Sequence, residues 1–179
     1  MNDGPRSPDP VEDPQGYQRH LLGLLGDDDP AIVQASMPGE WHTMVDLAGP
    51  DLHSAPDQGE WSVLGCLAHA VDAEIVMSGR YRWILAQDEP PLLGYDQDLW
   101  VQRLHPESES ATDLLASFAA LRQANVAMWR RSSEAERARV GLHDERGPES
   151  YDLSFRMIAG HDRFHLRQAR EAIQAIAQA

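Results

Sequence analysis

Ser154-Phe-Arg-Met-Ile158-Ala-Gly-His161-Asp-Arg-Phe-His165-Leu-Arg-Gln168 is the stretch that decides the fold of this chain. Residues in an α-helix turn by about 100° each, so His161 and His165 share one face, one turn apart. Extended along the same face, the stripe reads Ser154, Ile158, His161, His165, Ala169, Ala172 and Ile176, with no formally charged residue apart from whatever the histidines carry. Arg156, Arg163, Arg167 and Arg170 take the other side. This is an amphipathic helix, expected over Tyr151 to Ala177, with both imidazoles in its buried stripe. Taken alone, each histidine reads as a core imidazole satisfied by hydrogen bonds rather than as a ligand. Two on one stripe need partners together, and one cation provides for both.

Working outward, a first helix is expected from near Pro14 to Leu25, and a short piece from Ala31 to Met37 after the Asp29-Pro30 cap, stopped by Pro38-Gly39. Residues 49–60 read as a loop. Ser62 caps a long helix reaching about Gln87, where Pro90, Pro91 and Gly94 prevent continuation. A crossover follows, then a helix from about Thr112 to Arg131 with Leu114, Leu115, Phe118, Leu121 and Met128 inward, a turn at Ser133 to Glu136, and a loop from Gly141 to Ser150. No segment alternates with period two. The expected fold is all-α: an antiparallel four-helix bundle with a long crossover between the second and third long helices. Residues 1–13, rich in Pro, Asp and Gly, are expected to be a disordered N-terminal tail, and residues 14–179 a single domain.

Composition narrows the function. The net charge is −14, from 29 acidic and 15 basic residues. That balance argues against nucleic-acid or anionic-membrane partners, which need clustered cations. Every basic residue is arginine, so no lysine Schiff base is available. There is no signal-peptide core or apolar membrane-length run, and Cys66 is the single cysteine; the expected location is the cytoplasm.

Bundles build metal sites between facing helices, and a third ligand belongs on the stripe Cys66, His69, Ala73, Val76 of the helix after Ser62. His69 is the candidate. His20, His42, His53, His105 and His143 are poorer ones, the last four lying in or beside Pro/Gly-rich segments. Gln168, three residues after His165, is the first choice to hold an imidazole; Asp72, Glu74 and Asp162 are also near, with Asp162 expected at the solvated surface. Three neutral imidazoles suit a divalent ion, zinc by default, with Ni, Fe, Co and Mn as alternatives. Arg80, Arg82 and Trp83 read as an anion-recognising rim or as ordinary surface groups. Tyr95 and Trp100 read as anchors of the crossover or as pocket walls, Cys66 as a packed thiol, and His143 as a solvated loop histidine or a proton carrier.

Three segments in order, Glu60-Trp61-Ser62 leading into Leu67-Ala-His69-Ala-Val-Asp-Ala-Glu74, Tyr95-Asp-Gln-Asp-Leu-Trp100, and Ala159-Gly-His161-Asp-Arg-Phe-His165-Leu-Arg-Gln168, resemble the DinB-like family and its DinB_2 branch. The resemblance implies a four-helix bundle, often a homodimer, with one divalent metal on a triad that maps onto His69, His161 and His165. It also implies small-molecule chemistry, with a low-molecular-weight thiol as co-substrate in an S-transferase or hydroxide in a hydrolase. The alternative is a non-catalytic, stress-associated bundle that only binds metal or ligand.

Overall fold

The computed structural model describes residues 8, 12–105 and 108–178. Most of the tail expected over residues 1–13 therefore lies outside the described residues. Seven helices are described among them: α1 (Pro14–Leu25), α2 (Pro30–Ala48), α3 (Val63–Ala86), α4 (Gln97–Leu104), α5 (Ala111–Arg131), α6 (Glu134–Arg137) and α7 (Tyr151–Ile176). Side-chain oxygens start the long ones. Asp29 accepts from the amide of Ala31 at 2.7 Å, Ser62 from Gly65 at 3.1 Å and Ser150 from Leu153 at 3.0 Å.

Four of these helices form the bundle. α2 packs against α5 and α7, α3 packs against the same two, and α2 faces α3 across the diagonal. Residues 87–110 make the long crossover from α3 to α5, and α4 lies within it.

The fourth bundle helix is a correction to the sequence reading. It is α2, which runs through Pro38 for 19 residues, while α1 lies on the outside of α7. An internal proline costs about 3 kcal/mol. Val33, Met37, Trp41, Met44 and Ala48 are all buried on one face of α2, and burying a large apolar side chain returns roughly 1.5–3 kcal/mol. The buried stripe outweighs the break.

A second correction concerns strands. β1 (Pro91–Leu92) pairs parallel with β2 (Val140–His143), which pairs antiparallel with β3 (Gly147–Ser150), where a loop was expected. The strands are too short for alternation to register, and Pro148 is tolerated because β3 is an edge. This small sheet turns the chain directly into α7, with Ser150 serving as last strand residue and helix cap.

Gly160 lets α1 lie close on α7: a Cβ there would stand 1.9 Å from the Leu21 carbonyl oxygen. That contact sits one residue before His161 and closes one side of the cavity described next. No helix among the described residues is long and apolar enough to cross a membrane.

Candidate metal centre

α3 and α7 bring His69, His161 and His165 together in the buried interior. Ring centroids are 5.0 Å apart for His69 and His161, 4.5 Å for His69 and His165, and 4.3 Å for His161 and His165. One nitrogen from each lies within 4.8 Å of the others, a group that could hold a metal ion. Nitrogens about 2.0–2.1 Å from one tetrahedral centre stand about 3.4 Å apart, so small ring rotations reach that spacing.

The hydrogen bonds say which nitrogens are available. Gln168 Oε1 lies 2.9 Å from His165 Nδ1 and, being an acceptor, places the proton there and leaves Nε2 with its lone pair. His69 Nε2 and His161 Nε2 face each other at 2.9 Å, while the buried Nδ1 atoms of both have no hydrogen-bond partner among the described residues. The rings are not tied to backbone carbonyls.

Burial also keeps them neutral. His165 is pushed down to about 4 by desolvation, with Gln168 opposing. His69 and His161 fall well below the usual histidine value through desolvation and then the repulsion of His165. Neutral imidazoles are the form that binds metal. Trp61 covers the group, stacked on His165 at 5.8 Å and tilted against His69 at 4.9 Å.

The neighbouring carboxylates are engaged elsewhere. Asp72 Oδ2 takes His105 Nε2 at 2.9 Å, and His105 Nδ1 meets Glu109. Asp162 is not at the surface: it is 1% exposed and accepts two bonds from Arg122, itself 1% exposed. Glu74 Oε2 takes the same guanidinium at 2.8 Å, and Asn125 donates to Glu74 Oε1 and Ser78 Oγ at 2.7 Å each. α7 is covered by α1, α2 and α3, so its buried arc extends well past the histidine stripe. Arg122 and Asn125 were missed in the sequence. Their signal is helical: Arg122 follows the inward Phe118 by four residues, and Asn125 follows Arg122 by three.

A cavity of about 120 Å³ opens beside His69 and His161. Leu21, Met77, Met157 and Ile158 form apolar walls, Tyr95 lines another side, and Arg80, His143, Arg146 and Glu149 gather along it. Tyr95 is thus a wall, its phenol kept protonated chiefly by burial, and Trp100 packs on its ring at 4.5 Å. His143 is buried in β2, not solvated, and desolvation followed by Arg146 and Arg80 pushes it down to about 4. Arg80 is buried too, whereas Arg82 bonds the Ser78 carbonyl and Trp83 is exposed. Cys66 is a buried thiol pushed up to about 12 by desolvation, packed and inert.

The molecule is a helical bundle with a long crossover and a buried group of three convergent imidazoles that could hold an ion between α3 and α7. The DinB_2 model of the DinB superfamily matches residues 40–169, and the chain belongs to that superfamily. Among solved structures it is similar to YfiT from Bacillus subtilis, described as a probable metal-dependent hydrolase with an unusual four-helix bundle topology. The TM-score is 0.75 at 16% identity, covering 97% of this chain and 93% of that one. No curated protein matches the chain.

Proposed function

We propose that this protein is a metal-dependent enzyme acting on a small molecule in the cavity beside His69 and His161, with His69, His161 and His165 as the metal ligands and Gln168 orienting His165. The observation that carries the reading is the convergence of three buried neutral imidazoles, with orphaned Nδ1 atoms on two of them, His69 and His161, which line a partly open cavity. A divalent ion on three neutral nitrogens keeps its full charge and an open position, and lowers the pKa of a water or thiol that it binds. Zinc is the ion proposed, with Ni, Fe, Co and Mn as alternatives.

The chain's own groups favour thiol transfer over hydrolysis. Asp72 is held by His105, and Asp162 and Glu74 by Arg122, so none of these carboxylates is free to shuttle a proton at the triad. Hydrolysis of an ester or amide needs a proton delivered to a basic leaving atom, a role these carboxylates cannot fill, whereas a thiolate that displaces a stable anion needs none. Cys66 is buried and stays protonated, so the sulfur comes from a low-molecular-weight thiol. Tyr95, a neutral phenol in the wall, supplies a hydrogen bond to a substrate oxygen, and the apolar walls exclude water. The description of YfiT supports hydrolysis as the second reading. A homodimer in the cytoplasm, without nucleic-acid or membrane partners, completes the proposal.

Elemental analysis of protein purified without a metal-affinity tag tests it. One equivalent of metal is expected in the wild type and none in His69→Ala, His161→Ala or His165→Ala; unchanged metal in the variants refutes the ligand set. Assay of the metallated protein with a panel of thiols and electrophiles, against ester and amide substrates, then separates transfer from hydrolysis. Inactivity on both panels leaves the non-catalytic binder.

A further inference from the structure

The cavity has a second polar end. Arg80 is only 5% exposed, and the groups its guanidinium reaches are all neutral. Nη2 donates to the Leu93 carbonyl and to His143 Nε2 at 3.1 Å, Nη1 lies 3.8 Å from Met77 Sδ, and Nε has no partner among the described residues. No carboxylate among the described residues stands within ion-pair distance of it. The acidic groups nearby are committed or wet. Glu149 is bound by Arg146 Nε and the Ser154 hydroxyl. Asp144, 48% exposed, accepts from the Gly94 amide at 3.0 Å and faces His143 Nδ1 at 3.1 Å. Glu145 is exposed at the rim.

His143 Nε2 takes a bond from Arg80 and Nδ1 faces both the Glu145 amide, a donor at 3.2 Å, and Asp144, so the ring is neutral and adds no charge. Among the buried groups at this end, two guanidiniums meet one carboxylate, Glu149; Glu145 lines the mouth of the cavity and Asp144 borders it, both exposed and screened by water. A buried cation without a counter-charge is strongly unfavourable, and an anionic ligand removes the deficit.

We propose that Arg80, backed by Arg146, is an anion subsite that receives the carboxylate of a short organic acid whose apolar body lies along Met77, Met157 and Ile158 toward the histidines. Counted over the buried groups the surplus is one positive charge, which fits a monoanion; a phosphate monoester carries about two negative charges at neutral pH and overshoots beside Glu149 and the exposed Glu145. The subsite stands on the cavity alone, whereas naming its occupant as the substrate rests on the proposed function.

Calorimetric titration of the full-length protein with hexanoate, 1-hexanol and hexyl phosphate tests it. Hexanoate is expected to bind at least about tenfold more tightly than 1-hexanol, a gap of the size a charge-assisted pair supplies. Arg80→Gln erases that gap and His69→Ala keeps it. Equal binding of hexanoate and 1-hexanol, no binding of hexanoate, an undiminished gap in Arg80→Gln, or tighter binding of hexyl phosphate overturns the proposal. The wild-type comparison decides even where Arg80→Gln does not fold. Unchanged metal content in His69→Ala refutes the metal reading and leaves the subsite standing; loss of the gap in that folded variant refutes the subsite.

Discussion

Two buried polar clusters sit side by side, one joining α3, α5 and α7 and the other α3 and α7, and they are built in opposite ways. Arg122, Asp162, Glu74, Asn125 and Ser78 close on one another, with both carboxylates paired to the one guanidinium. Burial alone would pull Arg122 down, but Asp162 and Glu74 hold it above the ordinary arginine value, so it is permanently charged. Each cluster keeps buried polar atoms without a hydrogen bond, Arg122 Nε and Glu74 Oε2 in this one and the Nδ1 atoms of His69 and His161 in the other; the difference is that the first pairs its charges internally, whereas His69 and His161, the latter next to Asp162, face a cavity. A cluster that pairs its own charges serves the fold, and a neutral one of the same depth beside a cavity could hold an ion.

Breaking the closed cluster is expected to have the largest effect. Arg122→Ala leaves two buried carboxylates unpaired and costs roughly 3–5 kcal/mol of stability, read by urea denaturation. A loss below about 1 kcal/mol would show that the network is not what holds α3, α5 and α7 in register.

Acid probes the open cluster in metal-stripped protein. His165, near 4 when folded against about 6.5 when unfolded, gives stability that is complete above pH 6.5 and lost as pH falls toward 4, about 3 kcal/mol in all. His143 works in the same direction. His105 has the opposite sign: burial works against its proton, but Glu109 and Asp72 raise it, so its contribution is complete below pH 6.5 and lost above its raised value. Asp162, raised to about 6 chiefly by desolvation, also opposes the lowered histidines, its contribution complete below the ordinary carboxylate value and lost as pH rises through 6. Denaturation midpoints between pH 4 and 7 compared between wild type and His165→Leu check this, and identical profiles refute a buried neutral His165.

Gln168→Ala sharpens the contrast further. Removing the acceptor that fixes His165 is expected to weaken metal affinity by about 10–100-fold while the chain stays folded, measured by competition with a chromophoric chelator. An unchanged affinity would assign Gln168 to packing alone. The smallest expected effect is on the metal-free protein carrying His161→Leu: stability changes by less than about 1 kcal/mol, because the lost ring left a polar atom unsatisfied. A loss like that of Arg122→Ala would make the histidines as structural as their neighbours.

Much of this was legible because it is periodic. The α7 stripe from Ser154 to Ala172 is buried as its spacing implies, and His69 on its own apolar stripe faces the pair on α7. The cap at Asp29 marks the start of α2 correctly, but Pro38 gives no sign that it lies inside a helix, because what carries the helix past it is the burial of Trp41 and Met44. Arg80 and His143 are 63 positions apart, and nothing in either neighbourhood announces that β2 brings them to 3.1 Å.

The amino-acid order alone determined which residues share a helix face, since that follows from about 3.6 residues per turn within one segment. It therefore settled the all-α class, the buried histidine stripes and the boundaries of α3, α5 and α7. Only the tertiary structure decided which faces meet and at what height: Asp162 against Arg122 across the bundle diagonal, and Arg80 and the histidines along one cavity. Periodicity is a property of a single helix, whereas the rotation and axial offset between helices come from packing the whole core at once.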